Sequence, residues 1–155
     1  MIYTIRRASP DDAEAISTVI VAALRQTNAK DYSEAVIHRL AKAFAPDAML
    51  ALMATRTVFV ATLDRQIVGT ASLDGTFVRT VFIAPKHQGQ GIGRQLMEAV
   101  EGAARNDGVS ILALQSSITA EPFYAKLGFR AVRDSYHGEE RTIVMERRLS
   151  SSNLP

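Results

Sequence analysis

The most constraining feature of the sequence is a glycine-rich turn, Gln-Gly-Gln-Gly-Ile-Gly, at residues 88–93. An apolar run at residues 81–84 precedes it and an amphipathic stretch begins at Arg94, so the predicted order is strand, turn, helix. Backbone N–H groups of such a turn, together with the N-terminus of the helix, can surround one anion. Glycine lets the backbone approach a phosphate closely and adopt positive φ angles. The turn therefore predicts a phosphate-bearing ligand, whereas helix capping alone leaves three alternating glycines unexplained.

Hydrophobic periodicity and turn residues predict an α+β domain. The predicted strands cover residues 3–6, 57–63, 66–73, 76–83, 109–114, 129–133 and 142–145; the predicted helices begin after Ser9, at Ser33 and at Pro46, and cover 91–106 and 119–127, with Thr119 as a cap. The helix between the fourth and fifth strands requires one parallel pair, and the other pairs are expected to be antiparallel. Without a repeat or a linker, residues 1–149 are predicted to form a single domain, followed by a polar tail at 150–155.

Two other phosphate-binding turns do not match this pattern. The dinucleotide-binding fingerprint is Gly-x-Gly-x-x-Gly, whereas Gly89, Gly91 and Gly93 stand at alternate positions. The strand before the turn is also the fourth predicted strand, not the first of a β-α-β unit. The phosphate loop of nucleotide hydrolases needs a Gly-Lys-Ser/Thr sequence, which does not follow here.

Composition narrows the class of protein. The 155 residues are 47% hydrophobic and 22% charged, which is typical of a globular chain with one core. The net charge of +2 is too small to favour a nucleic-acid partner. The sequence has no cysteine, and neither His38 nor His87 has metal-ligand spacing, so no metal site is predicted. Because neither a membrane-spanning run nor a secretory leader pattern is visible, we expect a cytoplasmic protein without a membrane partner.

Two motifs make the chain resemble the GNAT superfamily of N-acetyltransferases. Gln88-x-x-Gly91-x-Gly93 matches the Gln/Arg-x-x-Gly-x-Gly/Ala signature of that family. Residues 123–129, Phe-Tyr-Ala-Lys-Leu-Gly-Phe, look like its Phe-Tyr-x-x-x-Gly-Phe segment at the expected distance downstream. The resemblance implies a mixed, mostly antiparallel sheet of about seven strands with a splay between strands 4 and 5. It also implies about four to five flanking helices and acetyl-coenzyme A as co-substrate.

The resemblance places acetyl-coenzyme A in that splay. Its pyrophosphate would rest on N–H groups of the turn, with Arg94 adding charge pairing; Lys86 and Lys126 are weaker candidates. The fourth strand would offer main-chain groups to the pantetheine arm, and one N–H could polarise the thioester carbonyl. Many relatives carry an asparagine seven residues before the tyrosine of the second motif, where this chain has Ser117. The predicted cofactor-binding residues are Val81, Phe82, Ile83, Gln88, Gly89, Gln90, Gly91, Ile92, Gly93, Arg94, Ser117 and Tyr124.

Tyr124 is also the predicted catalytic residue. By resemblance it would protonate the departing coenzyme A thiolate, since a phenol of pKa about 10 can donate to a thiolate of pKa about 8.5. The alternatives are an aromatic side chain that only packs, or one that only positions coenzyme A. Some relatives carry a glutamate base on the fourth strand, but this strand has no carboxylate. Asp74, and His137 and Glu139 in the predicted loop before the last strand, are therefore alternatives to deprotonation through ordered water.

The acceptor site is expected between the first two helices and the last hairpin. Its candidate residues are Gln26, Asn28, Asp31, Tyr32, Asp74, Tyr136 and His137. An acidic residue such as Asp31 would suit a cationic amine. The predicted function is transfer of an acetyl group to a primary amine of a small molecule by direct attack in a ternary complex, with a homodimer left open. Acetylation of a protein N-terminus or lysine, and a non-catalytic acyl-coenzyme A sensor, are the alternatives.

Overall fold

The computed structural model of the chain describes residues 2–27, 29–138 and 140–149. The strands are β1 (Thr4–Arg7), β2 (Thr57–Leu63), β3 (Gln66–Asp74), β4 (Phe77–Ile83), β5 (Ile111–Ser116), β6 (Arg130–His137) and β7 (Glu140–Arg148); the helices are α1 (Ala13–Gln26), α2 (Glu34–Ala43), α3 (Pro46–Thr55), α4 (Ile92–Asn106) and α5 (Glu121–Lys126), with 3₁₀ segments at Pro10–Asp12 and Pro85–His87. The predicted α+β class is confirmed. The predicted tail at 150–155 lies outside the described residues.

The strands form one mixed sheet in the order β1-β2-β3-β4-β5-β7-β6. Within the described ranges, β4 and β5 are the parallel pair, as predicted, and the other neighbours are antiparallel. The β2–β3 hairpin turns at Asp64 and Arg65, which both have positive φ angles, at 51° and 70°. This is the backbone that a two-residue hairpin of type I′ requires.

The sheet splays between β4 and β5, which confirms the expectation for the fold. The two strands share one aligned pair, Phe77 opposite Ala113, and then separate. On its other side, β4 carries a bulge, because Thr80 and Val81 together face the single residue Ala71 of β3. Thr80 has a φ of 57°, which is uncommon for a residue with a β-branched side chain. The wedge at the end of the paired segment gives the fold its central opening.

Helices cover both faces of the sheet because the strands bury alternate residues on opposite sides. On β2, Val58 and Val60 pack with α1, whereas Ala61 belongs to the cluster that contains α4. Helix α4 presents a stripe at four-residue spacing to the sheet, formed by Ile92, Leu96, Val100 and Ala104, all of them buried. In the described part of the chain, no helix is long and apolar enough to span a membrane.

The closing hairpin and the start of α5 differ from the predictions. The last two strands are longer than predicted and pair as far as His137 opposite Glu140, so His137 ends β6 and does not lie in a loop. Nearly all of β6 is exposed, and its polar sequence therefore lacks the alternation that marks a half-buried strand. Thr119 does not cap α5, which begins after Ala120. Its hydroxyl donates to Oδ1 of Asp31 at 2.5 Å instead.

Candidate active site

Two cavities lie on either side of the splay. The turn cavity, of about 470 Å³, lies against residues 87–94. The hairpin cavity, of about 880 Å³, lies between α2, β4 and the β6–β7 hairpin. Both are lined by the same five residues, which are Val81, Phe82, Ser117, Ala120 and Tyr124. A molecule in one cavity therefore meets a molecule in the other beside Tyr124.

The turn owes its shape to two of its glycines. Gly89 and Gly91 have φ angles of 75° and 83°, and no atom lies within 4 Å of the Cβ that a side chain would add at either position. Glycine is therefore required there by the backbone conformation, and the space beside it is open. Gly93 differs, since a Cβ would lie 3.1 Å from Cζ of Phe123. Its small size lets α4 and α5 approach each other.

Side chains of the turn hold it in place and leave its backbone accessible. Gln88 donates through Nε2 to Oγ1 of Thr27 at 2.9 Å, which ties the turn to the end of α1. Gln90 accepts a hydrogen bond from the Tyr3 hydroxyl. Arg94 is 71% exposed, with its Nε 3.9 Å from Oε2 of Glu98. The turn thus offers a ligand its backbone N–H groups, the N-terminus of α4 and the exposed guanidinium of Arg94.

Most of the predicted cofactor-binding residues lie together. Those that line the turn cavity are Val81, Phe82, Ile83, Gln88, Gly89, Gly91, Ile92, Gly93, Arg94, Ser117 and Tyr124. Gln90 is not among the lining residues. Ser117 accepts a hydrogen bond from the N–H of Ala120 at 3.1 Å, so its oxygen holds the turn before α5, while its O–H can still donate.

Tyr124 lies in an aromatic cluster at the meeting point of the two cavities. Its side chain is 8% exposed, and its ring contacts Phe123 and Phe129 edge-on, with centroids 5.0 and 6.0 Å away. Burial, and to a smaller extent the nearby Tyr32, raise the pKa of the Tyr124 phenol well above its ordinary value of 10. The phenol therefore remains a hydrogen-bond donor throughout the neutral range.

The predicted acceptor residues divide between several places. Tyr32, Asp74 and His137 line the hairpin cavity. Asp31 lines the turn cavity, where it accepts the hydrogen bond from Thr119. Gln26 and Tyr136 are both exposed, and neither lines the turn cavity or the hairpin cavity. Asn28 lies outside the described residues, as does Glu139, one of the candidate bases.

The hairpin cavity also contains charged residues that the sequence analysis missed. Arg56 and Arg79 approach the same Oδ2 atom of Asp74 through their Nε atoms, at 3.7 and 3.9 Å. Nη2 of Arg39 lies 3.6 Å from Oε1 of Glu140. A single arginine within the apolar strand 77–83 was the available signal for Arg79. No local signal marks Arg56, because it enters the cavity from the segment between α3 and β2.

Burial in the hairpin cavity shifts the pKa values of two of its side chains. Desolvation lowers the pKa of Arg56 from its ordinary value, although Asp74 opposes the shift. Burial raises the pKa of Tyr32, and the negative charges of Glu140 and Asp31 add to the effect. The Arg56 charge is therefore only partly solvated, and a charged ligand would interact with it more strongly than with a fully exposed arginine. The described residues contain no group of three His, Cys, Asp or Glu side chains arranged for a metal ion.

Comparison with known proteins agrees with this geometry. The family model of the acetyltransferase (GNAT) domain matches residues 28–146. An uncharacterised N-acetyltransferase, YafP of Escherichia coli K12, is 26% identical over 129 residues, which are 83% of this chain and 82% of YafP. The chain therefore belongs to the GNAT acetyltransferase family and is an acyltransferase.

Solved structures give the same fold. The crystal structure of a GCN5-related N-acetyltransferase (aminotransferase, class II) from Rhodopseudomonas palustris superposes with a TM-score of 0.86 at 29% identity, covering 96% of this chain and 99% of that one. The structure of YncA, a putative acetyltransferase from Salmonella typhimurium with its cofactor acetyl-CoA, has a TM-score of 0.69 at 21% identity and covers 100% of this chain and 98% of that one.

Proposed function

We propose that this enzyme transfers an acetyl group from acetyl-coenzyme A to a primary amine of a small molecule, by direct attack in a ternary complex. The observation that carries the proposal is the meeting of two separate cavities at Tyr124, across the splay of the sheet. One cavity would hold the acyl donor and the other the acceptor. The two reactants then meet without a covalent enzyme intermediate, which fits a sequence with no cysteine.

The turn cavity fits coenzyme A in its chemistry. The left-handed glycines Gly89 and Gly91 leave open space where a side chain would otherwise lie. Backbone N–H groups and the N-terminus of α4 would bind the pyrophosphate, and Arg94 can reach it from the surface. The apolar lining at Phe82 and Ile83 suits the pantetheine arm.

The bulge in β4 would supply a hydrogen-bond donor for the thioester carbonyl. Regular pairing with β3 stops between Arg79 and Phe82, so Thr80 and Val81 do not follow the ladder. An N–H group of this segment can point into the splay and stabilise the oxyanion that forms when the amine attacks. The C–N bond then forms and the C–S bond breaks, which yields the amide and the coenzyme A thiolate.

Tyr124 would donate to that thiolate. Because burial raises the pKa of Tyr124, the phenol stays protonated and can donate a hydrogen bond that stabilises the departing thiolate. The attacking amine must also lose a proton. Asp74 is already paired with two arginines. We therefore infer that ordered water accepts the proton. His137, another candidate base, lines the same cavity.

The test is release of free thiol from acetyl-coenzyme A, measured with a panel of primary amines. The proposal expects turnover with at least one small amine and a much lower kcat for that amine in Tyr124→Phe. Turnover only with peptides would favour a protein acceptor. Binding of acetyl-coenzyme A without release for any amine or peptide would refute the enzymatic proposal and leave a sensor.

A further inference from the structure

Arg56 is a nearly buried arginine with few partners. Its side chain is 16% exposed, and its Nε lies 3.7 Å from Oδ2 of Asp74. Its Nη1 donates to Oγ1 of Thr80 at 3.2 Å. A guanidinium carries more N–H donors than these two contacts use. In the described part of the chain, Arg56 thus carries a partly desolvated charge with spare donors, and it lines the hairpin cavity.

Arg79 adds a second guanidinium beside the same carboxylate. Its Nε lies 3.9 Å from Oδ2 of Asp74, and its guanidinium carbon lies 4.6 Å from the centre of the Phe77 ring. One carboxylate is therefore shared by two arginines. At the other end of the cavity, Arg39 and Glu140 compensate each other. Among the described residues that line the cavity, with His137 counted as neutral, three arginines face two carboxylates. The one positive charge left over belongs to the Arg56–Arg79 pair.

The bulge of β4 places this pair close to the reacting groups. Thr80, which accepts the hydrogen bond from Arg56, has a φ of 57° and directly precedes Val81. Val81 lines both cavities. The residue that holds the Arg56 guanidinium is therefore the immediate chain neighbour of a residue that lines both cavities. A strained backbone at such a position is often retained because it aims a functional group.

We propose that the acceptor amine also carries a compact anionic group, a carboxylate in the first instance, which Arg56 and Arg79 bind while the amine faces Tyr124. The short path from Thr80 to the meeting point suits an amine and a carboxylate separated by few bonds, as in an amino acid. This inference rests on the proposed function. It differs from the sequence-based suggestion that Asp31 would suit a cationic amine, and Asp31 lines the turn cavity.

Matched amines test the inference with the wild-type enzyme alone. Thiol release is measured for each amino acid beside its amide and its decarboxylated amine, and for O-phosphoethanolamine beside ethanolamine. We expect kcat/KM to be about tenfold to a hundredfold higher for the member of a set that carries the anion, because charged hydrogen bonds to a desolvated arginine are lost in the others. Comparing O-phosphoethanolamine with ethanolamine shows whether a phosphate group is preferred to a carboxylate.

Variants then assign the effect to residues. Arg56→Gln should raise KM much more for the anionic acceptor than for the neutral amine, so that the ratio of their kcat/KM values falls by a similar factor. Asp74→Asn should lower KM for the anionic acceptor, because it removes the competing carboxylate. The charge-matched control is Arg130→Gln, at an exposed residue on β6 outside both cavities. Circular dichroism confirms that each variant is folded.

Two results would overturn the inference. The first is a wild-type kcat/KM for the neutral or cationic amines that equals or exceeds the value for their anionic partners. The other is an equal loss in Arg56→Gln for both members of a pair. Neither result affects the proposed function, which fails separately if no amine of any charge gives thiol release.

Discussion

The left-handed backbone of the turn makes Gly91→Ala the most informative stability experiment. Gly91 has a φ of 83°, and nothing lies within 4 Å of the Cβ that alanine would add. The cost is therefore in the backbone alone and amounts to about 1–2 kcal/mol for an L-residue in this region. The same substitution at Gly102, an exposed interior position of α4 with equally open space, should stabilise the helix by about 0.5–1 kcal/mol.

Urea unfolding monitored by circular dichroism measures both changes. We expect Gly91→Ala to lower, and Gly102→Ala to raise, the free energy of unfolding, with unchanged m-values. Each kcal/mol corresponds to about 2–4 °C in Tm for a chain of this size. Only Gly91→Ala should also weaken acetyl-coenzyme A binding, since the N–H groups of the turn must move. A Gly91→Ala protein as stable as wild type would refute the assigned conformation of the turn.

Two further predictions concern individual side chains. Tyr124→Phe should lower kcat about a hundredfold, while the affinity for acetyl-coenzyme A changes little. Because burial raises the pKa of the Tyr124 phenol, the wild-type kcat should not fall through Tyr124 ionisation as the pH approaches 10. A fall in kcat near pH 9 that Tyr124→Phe abolishes would contradict this. Asp12→Asn should cost about 1 kcal/mol at neutral pH, because the Asp12 carboxylate accepts hydrogen bonds from Arg6 and from the N–H of Ser9. Arg6 holds the Asp12 pKa below its ordinary 3.8, so the ionised carboxylate stabilises the fold above that pH. The difference between wild type and Asp12→Asn should shrink as the pH falls through the folded pKa, and a constant difference in urea unfolding at neutral pH and at low pH would disprove it.

Local signals explain what the sequence could predict. The glycine turn and the amphipathic period of α4 are encoded within a few neighbouring residues, and the structure has the turn and helix where they were expected. The single crossover helix required the parallel pair of β4 and β5, and the structure has it. These features depend on contacts close in the chain or on topology, which sequence patterns report directly.

The charged part of the hairpin cavity could not be predicted in the same way. Asp74 and Arg79 lie on the paired strands β3 and β4, but Arg56 comes from the segment between α3 and β2, and no local pattern shows that it joins them. The positive φ of Thr80 was also hidden, because threonine rarely adopts it and the bulge arises from the register between β3 and β4. The extent of β6 was missed because an exposed edge strand needs no apolar alternation.

Calorimetric titration with acetyl-coenzyme A tests the central claim most directly. The wild-type protein should bind with micromolar affinity. Gly91→Glu should abolish binding while the protein stays folded, because it places an anion in the open space of the turn, and Gly102→Glu, which adds the same charge to an exposed position on α4, should bind like wild type. No binding by the wild-type protein, or equal binding by Gly91→Glu, would contradict the assignment of the turn as the coenzyme A site.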